Sequence, residues 1–281
     1  MGFNFWKRNS PDPLVKIFKD KYQLHLLSLP RENVCVGDLY VYQTKTKGLI
    51  APGDISYFLE NFTLPPIDAD EILSDVSGTV SNNVDAKAGI GFLSGYLSVF
   101  DSDISIPEIN TGYQAKGAKF FRFGFPNSTR DSVDMGALAK SLSSSKMTTA
   151  HALFDDSNRY YLTTAVVRSP TISVTFANEY DRAVDLNLSG SYFIEASIAG
   201  EVSRTKTSEG MITFSGGKRL VYAVELHELN YYPDTAVFRI NSIRKYLSLK
   251  GTSPAKPVRR PAFIGDPNQG EMFLDVGSDS A

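Results

Sequence analysis

The sequence is short of the residues on which covalent and metal chemistry usually rest. It has one cysteine, Cys35, and three histidines, His25, His151 and His227. One cysteine excludes a disulfide framework or a cysteine-based metal site within one chain and fits a reducing compartment. No two histidines stand at metal-ligand spacing, and HExxH and GxSxG are both absent. The run GIGFLSG at 89–95 has the wrong spacing for a dinucleotide fingerprint and is no Walker loop. Its glycines read as flexibility. His227 reads as a satisfied core or edge residue, and Cys35, in a strand-like run, as a small buried hydrophobe. Asp155 and Asp156 are adjacent and read as a turn. The expectation is a protein that is no enzyme and takes no cofactor or metal.

Long apolar runs are missing too, and no window approaches the ~18 residues of a spanning helix. The start, MGFNFWKRNSPDP, has no apolar core after its charges and so reads as no signal peptide. Trp6 stands where the myristoylation pattern wants Ser or Thr. These absences predict a chain made soluble inside the cell. They leave open a membrane role through β-strands, whose signal per segment is far weaker. An excess of either charge is also lacking. The 29 basic residues face 31 acidic ones, a net charge of -2, which argues against a nucleic-acid partner. Composition is otherwise that of a folded protein, with 42% hydrophobic and 21% charged residues over 281 positions, enough for a sizeable core.

Asp12-Pro13 is a helix start, and Leu14, Ile17, Phe18 and Leu24 follow at helical spacing. Lys16, Lys19 and Lys21 share this helix, with Lys7 and Arg8 just before it. Either this is a solvated basic face, or it contacts anionic lipid. Residues 24–29 read as a strand stopping at Pro30, and residues 34–46 as a second. Residues 54–60 fit a short helix capped by Asp54. LPPI at 64–67 must be extended, since a residue before proline is pushed out of the helical region. Residues 133–145 suit another helix. Over about 160–240 the chain reads as separate strands, among them YYLTTAVVRS before Pro170 and TISVTF after it, then GMITFS, RLVYAVELHEL and TAVFRI, most of them bounded by Gly, Pro, Asn or Asp. This order gives an α+β fold, one domain built on a twisted, largely antiparallel β-sheet with short helices around it, followed by a short C-terminal tail.

Residues 192–202 alternate, with Tyr192, Ile194, Ala196, Ile198, Gly200 and Val202 on a mainly apolar side and Phe193, Glu195, Ser197, Ala199 and Glu201 on a mainly polar one. After a polar crossing at 203–209, Ile212 and Phe214 resume the apolar side. This is either a half-buried hairpin on a soluble core or a strand pair of a membrane barrel, which needs about 9–11 residues of such alternation per strand. The tail, PVRRPAFIGDPNQGEMFLDVGSDSA, is polar and Pro-rich, yet Phe263-Ile264 and Met272-Phe273-Leu274 interrupt it. A solvated tail gains nothing from such groups. They read as anchors of a plug, and Arg259-Arg260 as an accessible cut site, with Lys250 and Asp266 as alternatives. Residues 261–281 hold four acids and no base, so their removal leaves 29 basic against 27 acidic residues, a net +2. That favours an anionic leaflet.

In order, DPLVKIFKDKYQLHLLSLPRENVCVGDLYV, LPPI, YQAKGAKFFRF, YYLTTAVVRSPTISVTF and GGKRLVYAVELHELNYYPDTAVFRI resemble the gasdermin family in its short prokaryotic and fungal form. The likeness runs over about 12–245. It implies a gasdermin-type pore-forming domain at 1–250 and a linker with an autoinhibitory peptide at 251–281. It further implies a cell-death effector of antiviral or antiphage type, inactive in the cytoplasm until a caspase-like or trypsin-like protease removes the tail. The freed body would bind anionic lipids at the inner membrane, oligomerise with itself and close into a β-barrel. The two membrane hairpins would fall within about 76–125 and 160–215. The family's early acylated cysteine has no counterpart here, since Phe3, Asn4, Phe5 and Trp6 occupy that stretch. The competing reading is a non-lytic binding module whose tail docks a partner.

Overall fold

The computed structural model describes residues 13–46, 48–81, 120–148, 153–155, 157–178, 180, 202–206, 211–240, 265–266 and 270–271. Helix α1 (Pro13–Ile17) continues into a π-helical turn (Phe18–Tyr22). Then come β1 (His25–Arg31), β2 (Asp38–Gln43), β3 (Gly48–Asp54), a 3-10 turn (Ile55–Phe58), β4 (Leu59–Glu60), β5 (Ile67–Ile72) and β6 (Val76–Ser81). After residues 82–119 follow β7 (Phe120–Phe125), β8 (Thr129–Val133), α2 (Met135–Ser144) and β9 (Lys146–Met147). The remainder is β10 (Arg159–Ala177), β11 (Val202–Lys206), β12 (Ile212–Tyr232), β13 (Val237–Ile240) and a two-residue ladder between Gly265–Asp266 and Gly270–Glu271.

β10 and β12 form the spine of an antiparallel sheet that holds 11 of the described strands. They pair from Tyr160↔Leu229 to Val174↔Ile212. Three short strands, β2, β8 and β7, follow one another along the free edge of β10. Three more, β13, β1 and β11, do the same along β12. β3, β5 and β6 lie outside β2, β8 and β7. The spine is rich in Val, Ala and Leu because both its faces are covered. Ala165, Val166, Val167, Val221, Ala223 and Val224 are fully buried. α2 closes the core with Leu138 and Leu142, which pack in one cluster with Val41, Leu162, Leu226 and Phe238.

Several boundaries differ from the sequence reading. β1 runs through Pro30, and its ladder with β12 shifts register between Leu26 and Arg31. The missing N–H of Pro30 therefore falls in an irregular stretch, where proline is tolerated. Pro170 likewise fails to split β10. The ladder shifts between Ser169 and Thr171, and Ser169 Oγ accepts from Thr171 N at 3.0 Å and donates to Thr171 O at 2.8 Å. What read as pairs of strands are thus single long ones in β10 and in β12. The 34–46 strand contracts to β2 because Gly37 turns at φ +102, with space for no side chain: a Cβ would lie 3.0 Å from Asp54 Oδ2. Cys35 sits exposed in that turn, not buried. Partial desolvation and the Asp38 carboxylate push its thiol up, away from nucleophile character.

The expected Asp54 cap is present, Asp12 lies outside the described residues, and Asp134, not singled out in the sequence, caps α2. Asp54 Oδ1 accepts from Ser56 N at 2.7 Å, and Asp134 Oδ1 accepts from Ala137 N at 2.7 Å. Asp134→Ala is expected to cost about 1 kcal/mol and to lower the melting temperature by about 2–4 °C in a thermal scan.

Candidate functional site

Five strands end within a few residues of one another at one end of the sheet. Phe120 pairs with Ser81 on one side and Ala177 on the other, and Ile212 lies between Val174 and Lys206. The local strand order is therefore β6-β7-β10-β12-β11. Residues 82–119 join β6 to β7 at this end, and 178–211 join β10 to β12 there, with β11 inside the latter, starting at Val202 opposite Gly216 and running out to Lys206 opposite Ile212. These are the places where sequence reading put the two hairpins. Of the residues named for the second, Val202 pairs with Gly216, Phe214 with Arg204 and Ile172, and Ile212 with Lys206 and Val174. Ser203–Lys206 belongs to β11, so the polar crossing expected at 203–209 begins no earlier than 207. Ile194, Ala196 and Ile198 lie outside the described residues.

α1 is fastened to this end by its aromatic side chains. Phe18 is buried among Phe123, stacked at 5.7 Å, and Phe125 and Tyr222, met edge-on at 6.1 and 5.9 Å. Phe125 stacks on Tyr222 at 3.9 Å. Gly78 on β6 makes room for this cluster, since a Cβ there would lie 2.6 Å from the Phe123 ring. Tyr22 Oη donates to Ser77 O at 2.6 Å and accepts from Ser77 N at 2.7 Å, while Lys21 Nζ donates to Ser77 O at 3.0 Å. Sequence periodicity predicted a plain helix here. The second turn is instead π-helical and stops where Gln23 takes φ 58 and its N–H bonds Lys19 O.

The basic residues are brought together only in part. Lys16 and Lys21 are exposed and flank an open groove of about 310 Å³ with Ile17, Asp20, Gly78 and Thr79. Lys19 is half-buried. Lys7 and Arg8 lie outside the described residues, as do Lys250, Arg259, Arg260, Phe263, Ile264, Met272, Phe273 and Leu274. Asp266 is placed by its backbone, paired with Gly270.

Sequence reading missed a polar seam across the sheet. Arg130 on β8 donates to Glu225 on β12 at 2.7 Å, and Thr164 Oγ1 lies 2.9 Å from His227 Nδ1. Arg168 pairs with Asp131, whose Oδ1 accepts from Asp70 N at 2.9 Å, and Arg219 pairs with Asp70 at 2.7 Å. Burial pushes the Glu225 carboxyl up, and Arg130 and then Thr164 pull it back. The one signal in sequence was the pair Glu225 and His227 inside an apolar run. His227 is buried and hydrogen-bonded, as expected. The seam joins β5, β8, β10 and β12 and holds register. Among the described residues no three His, Cys, Asp or Glu groups are placed to hold a metal, and no helix is long and apolar enough to cross a membrane.

Residues 27–239 match the Bacterial Gasdermin Family. Among solved structures, a bacterial gasdermin from Bradyrhizobium tropiciagri aligns with a TM-score of 0.54 and 14% identity, over 83% of this chain and 92% of that one. That likeness shows a shared fold. The Gasdermin A3 membrane pore, seen by cryo-EM, aligns with a TM-score of 0.28 and 11% identity, over 86% of this chain and 97% of that one. No curated protein matches. The family match takes in most of the sheet and all of the hairpin-bearing end, it supports a pore-forming role, and on it the chain belongs to the bacterial gasdermin family.

Proposed function

We propose that this protein is an autoinhibited pore-former of a cell-death defence, activated by proteolysis. Cleavage near Arg259-Arg260 frees the pore-forming body, residues 1–250 with the start of the linker, from the acidic segment 261–281. The body meets an anionic inner membrane with α1 foremost, assembles with copies of itself and inserts a β-barrel. One observation carries this reading: segments 82–119, between β6 and β7, and 178–211, between β10 and β12 with β11 inside it, span neighbouring strand pairs at one end of the sheet. Each exceeds the roughly 20 residues that two spanning strands require. Strands drawn out from β6, β7, β10 and β12 would be antiparallel neighbours from the start. A closed ring of them would satisfy every backbone group in lipid. Phe263, Ile264, Met272, Phe273 and Leu274 act as the anchors that hold the segment down, and its four acids are the charge that leaves with it.

The test is dye release from phosphatidylglycerol-containing vesicles. A chain ending near residue 255 is expected to release dye at least about tenfold faster than the full-length chain, and much less from neutral vesicles, because each basic residue near an anionic surface contributes about 1 kcal/mol. Equal and negligible release from both chains would overturn the proposal.

A further inference from the structure

A border strand presents a row of backbone N–H and C=O groups that invites another strand, and folded proteins cover or interrupt such edges. At the hairpin end of this sheet the two borders among the described strands are β6 and β11. The β6 border has an unusual cover. In an antiparallel ladder every second residue turns its N–H and C=O away from its partner strand. Ser77 is such a residue, because both its backbone groups reach the hydroxyl of Tyr22. One phenol thereby takes the two hydrogen bonds that a neighbouring strand would make at that position. The same alternation aims the backbone groups of Thr79 and Ser81 outward, beside the groove formed with Lys16, Ile17 and Lys21. The Tyr22 ring is held in place by its neighbour Phe18, 5.8 Å away, and so by the whole aromatic cluster.

We propose that Tyr22 is a latch on the β6 edge, and that the partner it excludes is a second copy of this chain. The occupant follows from strand direction and from the borders. β6 and β10 run one way, and β7 and β12 the other. A sheet continued sideways across copies must join β6 of one molecule to the opposite border of the next. This is a head-to-tail contact, which repeats until a ring closes. At the opposite border, the 212–216 stretch of β12 is already paired with β11. Both borders are thus occupied by the chain's own residues, one by a side chain and one by a strand. The side chain is the weaker cover. If Tyr22 alone turns away, its two hydrogen bonds to Ser77 and its contact with Phe18 are lost while Lys21 still reaches Ser77 O, whereas displacing β11 breaks a five-residue ladder. Release of the Tyr22 side chain from β6 is therefore the first step that opens an edge. This inference rests on the pore-forming reading for its purpose but not for its measurement.

Tyr22→Phe in the full-length chain removes the hydroxyl and keeps the ring. The Ser77 amide is expected to exchange its hydrogen about tenfold faster, the factor that the loss of a net hydrogen bond gives. The weight-average mass in analytical ultracentrifugation, without lipid, is expected to rise above that of the parent. Adding Ser77→Pro, which deletes the outward donor at an edge position that tolerates proline, should return the mass to the parent value. Unchanged exchange, or faster exchange with unchanged mass, would overturn the latch. Self-association of Y22F without vesicle leakage would uphold the latch and count against the pore reading. Leakage with no change in self-association would do the reverse.

Discussion

Phe125→Ala is expected to destabilise the protein by about 3–5 kcal/mol, the range for removing a fully buried aromatic side chain. Phe125 is wholly buried, and its ring lies against Tyr222, Phe18 and Phe123. Its ring stacks on Tyr222 and meets Phe18 edge-on, and its carbonyl accepts from Ser128 Oγ at 2.7 Å. Ser128 Oγ in turn lies 2.9 Å from Tyr222 Oη. Removing the ring leaves Phe18 facing a void, so α1 loses much of its seat as well. Urea unfolding should show a lower midpoint at unchanged slope. Tyr57→Ala is the control, because Tyr57 is 76% exposed and its loss should fall within about 0.5 kcal/mol. Equal losses for the two variants would show that the aromatic cluster does not hold the hairpin end together.

Arg130→Met should cost about 2–3 kcal/mol at pH 7 and much less near pH 4. The guanidinium is partly exposed, which holds the loss below the ~3–5 kcal/mol of a fully buried pair. The pH dependence follows from Glu225. Its folded-state pKa is raised above the ordinary value of 4.5, first by burial. The fold therefore favours the protonated carboxyl. The stability linked to this group is fully present below its unfolded pKa and is lost as pH rises through the folded one. Arg130 opposes that loss, so its removal is felt most where Glu225 is ionised. Denaturation at the two pH values, parent against variant, reads the difference directly. A loss of the same size at both would show that Arg130 acts by packing alone. Arg130→Met/Glu225→Gln should recover most of the neutral-pH loss, since no buried charge is then left unpaired.

The general architecture was legible because periodicity reports burial. Apolar alternation from 160 to 240 gave the strands, and Asp54 gave the start of its short helix by its capping chemistry. The breaks at Pro30 and Pro170 were misplaced for one reason. Proline forbids a hydrogen bond at one position, and register shifts at Leu26/Arg31 and Ser169/Thr171 put that position where no ladder bond is needed. Cys35 was assigned to a strand because Val34 and Val36 flank it, yet Gly37 turns the chain there. The seam was illegible for another reason. Arg130, Asp131, Thr164, Arg168, Arg219 and Glu225 come from three distant stretches, and only strand pairing makes them neighbours. Tyr22 was hidden similarly, since nothing in FKDKYQ reveals that its phenol meets a backbone at position 77.

The two-strand spine also determines how the molecule bears load. β10 and β12 run unbroken from the α2-covered core to the end of the sheet where residues 178–211 join them. A pull on those residues along the strand axis meets β2, β8 and β7 beside β10, and β13, β1 and β11 beside β12, all in shear. Hydrogen bonds loaded in shear yield together, whereas the Tyr22 contacts at Ser77, on the outer border of β6, can be broken one at a time. Resistance to such a pull is set by unfolding rate more than by equilibrium stability. The rear of the sheet is thus a rigid handle, and the β6 border is its soft seam.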